Sequence, residues 1–200
     1  LPTAIAQRAC EQHQNGQPFQ IRLLTGASIG AAADDVLSAA DAVSWRAPYQ
    51  TSSGLRDKIN QGQVRFVDLH LSEVAQMVNY GFFGEIDVAV IEASAIAPDG
   101  RIWLSSGIGN APTWLLRAKK VIIELNHYHN PRVAEFADIV IPGAPPRRNS
   151  VPIFHTMDRV GSQCVQIDPK KVVAVVETEL PDAGNAADKT NPVSQQIADN

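Results

Sequence analysis

Strand-like apolar runs alternating with helical stretches predict an α/β fold, a mostly parallel open sheet with helices on both faces. Three observations carry the prediction. Residues 86–93, IDVAVIEA, are apolar apart from Asp87 and Glu92, as in a strand covered on both faces. Residues 121–125, VIIEL, repeat that pattern. Between them lie a Pro98-Asp99-Gly100 turn, a second strand at 101–104, the bend Ser105-Ser106-Gly107-Ile108-Gly109-Asn110 and a helix from Pro112 through Lys119. The two strands flanking the turn pair as a hairpin. Arg117, Lys119 and Lys120 fall near the negative end of the helix dipole.

The remaining elements follow in order. Residues 3–14 form an amphipathic helix with Ile5, Ala6, Ala9 and Cys10 on one face, stopped by Asn15-Gly16-Gln17-Pro18. A strand at 19–24 ends in Thr25-Gly26-Ala27-Ser28, a small-residue turn into an alanine-rich helix at 31–40. A short strand end at 43–45, an exposed loop at 49–53 and a short helix at 54–60 come next. Residues 64–69 read as a strand and 73–80 as an amphipathic helix capped by Ser72. Beyond Asn126, residues 127–131 are a loop, 137–141 a strand, 142–152 a loop containing Pro and Arg, and 172–176 a last strand. Residues 177–192 are polar surface. No internal repeat or low-complexity tract interrupts the series.

Composition narrows the function classes. Two hundred residues with 44% hydrophobic content suit one large domain or a domain with an appendage. A net charge of −4 gives no electrostatic footprint for nucleic acid. No apolar run approaches the ~18 residues of a membrane span, and the start lacks the basic-then-apolar form of a signal peptide. Cys10 and Cys164 have neither metal spacing nor a CxxC arrangement, so reduced thiols and a cytoplasmic location are expected. Leu1 is not an initiator Met, and residues 2–13 and 193–200 read as helices cut at the chain ends. The expectation is a fragment, truncated at both ends, with 177–200 a polar connection toward a second domain.

Several residues invite chemistry. Thr25-Gly26-Ala27-Ser28-Ile29-Gly30 imitates the phosphate-cradling loop of short-chain dehydrogenases. Ala32 stands at the third glycine position and no Tyr-x-x-x-Lys follows, so packing or another ligand explains the turn better. Glu92 and Glu124 each lie near a strand end, where desolvation would suit a nucleophile or base. A carboxylate held by backbone N–H groups or an arginine is the simpler reading. His127 and His129 would share an ion on an extended loop, but no third ligand follows closely, and no metal is expected. His13, His70 and His155 are isolated in sequence. Arg147 and Arg148, beside Pro145 and Pro146, would meet a ligand phosphate or carboxylate, or belong to a solvated loop. Gly107, Gly109, Asn110 and Asn126 have the better claim to a binding edge, since open α/β sheets bind ligands at strand carboxyl ends.

The order of strand, Pro-Asp-Gly turn, short strand, Ser-x-Gly-x-Gly-Asn and further strand resembles the class I coenzyme A transferases, and more narrowly the acetyl-CoA hydrolase/transferase family. LLTGAS at 23–28, SWRAPYQTSSGLR at 44–56, FVDLHLSEVAQMVNYGFFG at 66–84 and IPGAPPRRNSVPIFH at 141–155 add to the resemblance, which covers essentially the whole chain. It implies a coenzyme A transferase-like domain, related in fold to sugar-phosphate isomerases, that forms the first half of a longer, homodimeric enzyme. It implies coenzyme A as substrate with no covalently bound cofactor, and an acyl-CoA and a small carboxylic acid as partners. Propionyl-CoA and succinate are the favoured pair, and acetyl-CoA with acetate or succinate the alternative. The loop carrying Gly26 and Ser28 would face the acyl pocket, with Ser28 and Thr51 hydrogen-bonding the substrate carboxylate or thioester carbonyl. The family's nucleophilic glutamate would lie beyond Asn200, so no catalytic residue is expected within 1–200. An isomerase-like domain and a non-catalytic dimerisation module are the readings from other classes.

Overall fold

The computed structural model describes residues 1–27, 33–143, 145–146, 148–182 and 192–199. Ser28 and Arg147 lie outside the described residues. Helix α1 spans Pro2–Gln14, and β1 (Ile21–Ala27), α2 (Asp34–Ala39), β2 (Val43–Tyr49), α3 (Ser53–Asn60) and β3 (Arg65–Phe66) follow. Helix α4 (Leu71–Asn79) leads to β4 (Ile86–Ile96), β5 (Arg101–Leu104), α5 (Ala111–Arg117) and β6 (Ala118–Asn126). A 3₁₀ turn at Pro131–Phe136, β7 (Val165–Gln166), β8 (Val172–Thr178) and α6 (Pro192–Ala198) complete the order.

The expected α/β architecture is present, divided between two sheets flanked by helices. Strands β1, β2 and β3 form a parallel three-stranded sheet, and a mixed five-stranded sheet runs β7-β5-β4-β6-β8. Within it β4, β6 and β8 are parallel, whereas β5 runs antiparallel to both of its neighbours, β4 and β7. Each sheet has its own apolar cluster. Ala6, Ala9, Leu37, Val43, Leu55 and Val64 pack over the first sheet, and Ile91, Ile102, Leu104, Leu115, Val121 and Ile123 over the second. Cys10, expected on one face of α1 with Ile5, Ala6 and Ala9, is exposed, while Ala6 and Ala9 are buried and Ile5 packs beside them. Arg46 and Asp34, both fully buried, form a two-point ion pair at 2.9 and 3.1 Å that ties α2 to β2.

The Pro98-Asp99-Gly100 turn forms as expected. Gly100 N donates to Ala97 O at 3.0 Å, and Asp99 Oδ1 accepts from Arg101 N at 3.2 Å. The Arg101 side chain holds the Asp99 carboxyl below its ordinary pKa.

Other expectations are corrected. The strand at 64–69 shrinks to Arg65–Phe66, because only β2 offers it hydrogen bonds. Helix α4 begins at Leu71 with His70 in the cap position and no side-chain cap bond, so Ser72 is not the cap. Helix α5 stops at Arg117, since Ala118 is already extended, and Lys119 and Lys120 belong to β6. Lys171 Nζ instead donates to the Leu115 and Leu116 carbonyls at 2.9 and 3.0 Å, where burial lowers its pKa. The strand at 137–141 is reduced to a single bridge between Ile139 and Ser162.

Candidate functional site

Asn126 closes β6 and is buried. Its Nδ2 donates to Leu180 O at 2.7 Å, while its Oδ1 accepts from Leu180 N and Tyr128 N, both at 3.1 Å. These bonds satisfy a buried carboxamide and pin the segment after β8 against the end of β6. The residue expected to face a ligand therefore works as a bracket between two chain segments.

That bracket brings distant residues together at the carboxyl edge of the five-stranded sheet. Asp182 accepts a hydrogen bond from Ser106 Oγ at 2.8 Å, placing the segment after β8 beside the bend after β5. His129 Nε2 lies 3.1 Å from Glu92 Oε1 and 3.3 Å from Asp182 Oδ1. The imidazole side chain is only 7% exposed. Glu124 sits in register with Glu92 on the adjacent parallel strand. Glu92 thus faces an imidazole nitrogen, where an arginine or backbone N–H groups were expected. His127 and His129 share no partner: a turn at 127–129 separates them, and His127 Nε2 is 3.9 Å from Glu177 Oε2.

The glycine-rich bend borders a cleft of about 300 Å³, which Gly109, Asn110, Gln76, Tyr80, Thr113 and Arg148 help to line. Among the described residues, a Cβ added to Gly26, Gly107 or Gly109 would meet nothing within 4 Å, so none of their backbone requires these glycines. Gly109 has φ +43°, which gives it a conformational reason of its own. Asn110 caps α5 through its carbonyl, which accepts from Thr113 N and Trp114 N, and its side chain makes no cap bond.

Gly26 and Thr51 lie instead at the carboxyl edge of the three-stranded sheet, Gly26 just before and Thr51 just after the Ala27–Tyr49 pairing of β1 with β2. Thr51 is exposed there. A broader open cleft of about 630 Å³ runs from Tyr49 to His70, and Ser72 borders both clefts. The expected binding residues therefore divide between two sheet edges linked by the start of α4. The grouping of Glu92, His129 and Asp182 was not legible locally, because 37 and 53 positions separate its members. The available signal is topological: β4, β6 and β8 are parallel neighbours, and each residue lies near or beyond the carboxyl end of one of them.

Comparison with known proteins supplies the family. Residues 1–177 match the acetyl-CoA hydrolase/transferase N-terminal domain. The chain belongs to the acetyl-CoA hydrolase/transferase family. Over its whole length it is 85% identical to propanoyl-CoA:succinate CoA transferase of Escherichia coli, covering 41% of that protein. It is 40% identical to succinyl-CoA:acetate CoA-transferase of Clostridium kluyveri, over 92% of this chain and 34% of that protein. Acetyl-CoA hydrolase of Schizosaccharomyces pombe is 33% identical over 99% of the chain and 39% of its own length. The chain thus spans about two-fifths or less of these relatives. Among solved structures, RipA from Yersinia pestis matches the whole chain and 41% of its own with a TM-score of 0.62 at 20% identity, a likeness of fold.

Proposed function

We propose that this family member forms the N-terminal half of an enzyme that moves coenzyme A between an acyl-CoA and a carboxylic acid, with propionyl-CoA and succinate as its pair. The 85% identity to the Escherichia coli transferase, unbroken across the chain, carries this reading. Coenzyme A enters as a substrate and no cofactor is covalently held. A glutamate from the other half attacks the thioester carbonyl and expels the coenzyme A thiolate. The thiolate then attacks the glutamyl carbonyl of the mixed anhydride, releasing the donor's acyl group as its carboxylate and leaving a glutamyl-CoA thioester. The second acid takes the coenzyme A by the reverse steps.

This chain supplies one wall of the acyl pocket. Gly26 and Thr51 serve at one sheet edge, and Gly107, Gly109 and Asn110 at the other, with Asn126 fixing the segment beside them; Ser28 remains a proposed hydrogen-bond donor to the substrate through the family resemblance. The open space at the three glycines supports close approach of substrate to main chain. Donors on this wall stabilise the oxyanion of each tetrahedral intermediate. The second half closes the crevice and excludes water, so that transfer outruns hydrolysis. The working assembly is a homodimer, and a cytoplasmic setting fits the two free thiols, Cys10 and Cys164. Among the described residues no helix is long and apolar enough to cross a membrane.

The test compares coenzyme A transfer from propionyl-CoA to succinate by the full-length protein and by residues 1–200 alone. Transfer by the full-length protein only is expected. Transfer by the short chain would overturn the division of labour, and preference for water or acetate as acceptor would move the assignment to the hydrolase or acetate branch.

A further inference from the structure

We propose that Glu92, His129 and Asp182 form a binding site for a divalent transition-metal cation of the zinc type. The three side chains converge from β4, the turn after β6 and the segment after β8. Their ligand atoms all lie within 4.8 Å of one another. One imidazole nitrogen and two carboxylate oxygens are donors that such a cation accepts.

The imidazole is the deciding observation. His129 is more than nine-tenths buried, and its Nε2 makes no hydrogen bond. Carboxylate oxygens stand at 3.1 and 3.3 Å, yet neither meets the directionality of an N–H···O bond. A ring nitrogen poised between two carboxylates suits a cation better than a proton, because one N–H can point at only one of them. Bond lengths of about 2.0–2.1 Å at a tetrahedral centre put neighbouring ligand atoms about 3.3–3.4 Å apart. The two observed separations are close to that spacing.

The surroundings are those of a supported site. Ser106 Oγ donates to the other Asp182 oxygen, Oδ2, at 2.8 Å, which orients the carboxylate as outer-sphere partners of metal ligands do. The Asn126 bracket holds the backbone of Leu180, two residues before Asp182. Three protein donors leave a fourth position for water. A bound cation would fasten the segment after β8 to the sheet edge, whichever acyl group the enzyme transfers.

The full-length protein, stripped with a chelator and titrated with zinc ion by calorimetry, tests the site. One zinc ion per chain is expected, with a rise in Tm on binding. His129→Gln should weaken binding by at least roughly 100-fold, the upper end of what losing an outer-sphere partner costs, and Ser106→Ala by about 10-fold or more. His127→Gln should leave it unchanged. Ser106 is exposed, so its variant remains informative if His129→Gln does not fold. A protein that takes up no zinc overturns the proposal, as does wild-type affinity in either the Ser106 or the folded His129 variant.

Discussion

Asn126 shows how one side chain sets the shape of a sheet edge. Its carboxamide holds both backbone groups of Leu180, so Asn126→Ala would leave polar groups of Leu180 and Tyr128 to find new partners. Orphaned buried groups cost about 1–3 kcal/mol each, and the loss expected in urea denaturation is about 2–4 kcal/mol. Loss below about 0.5 kcal/mol would mean that solvent replaces the bracket. The residue's place at a strand end was legible in the sequence. Its partner was not, because Leu180 lies 54 positions away in a stretch that reads only as polar surface. His129 has the same history. Its neighbour His127 is visible in the sequence, whereas Glu92 and Asp182 become neighbours only through the parallel pairing of β4, β6 and β8.

Elements bounded by local chemistry were the most legible. The hairpin of β4 and β5 follows from Pro98-Asp99-Gly100, and residues 101–104 form the strand that the sequence marks. Gly100 adopts φ +90°, and a Cβ there would overlap Ile167 O. Left-handed strain alone costs a non-glycine residue about 1–3 kcal/mol, so Gly100→Ala should destabilise by about 3 kcal/mol or more, read as a lower denaturation midpoint. An unchanged midpoint would contradict the turn geometry. Elements that depend on long-range partners were less legible. Residues 137–141 are as apolar as a strand, but Ser162 offers a single bridge, and Gly161 admits the Ile139 backbone only because it lacks a side chain. Strand β7, two residues long, carries too little periodicity to be seen.

At the scale of the molecule, alternation of strand and helix was enough to predict the α/β class, and the division into two sheets was not. Strand order is a property of pairing, and β3 pairs with β2 rather than with any strand of the second sheet. The two sheets end in two small-residue edges, and the proposed acyl pocket uses both. The sequence offered Gly26 and Thr51 for an acyl pocket and Gly107, Gly109 and Asn110 for a binding edge; in the structure the two groups lie on separate edges joined through the start of α4. In the proposed reading such a wall binds and polarises substrate while the nucleophile comes from elsewhere in the protein. The direct test is to incubate the full-length protein with propionyl-CoA, quench in acid and locate the coenzyme A adduct by peptide mass spectrometry. The adduct is expected on a glutamate outside residues 1–200. An adduct on Glu92 or Glu124 would contradict the account and make this chain the catalytic half.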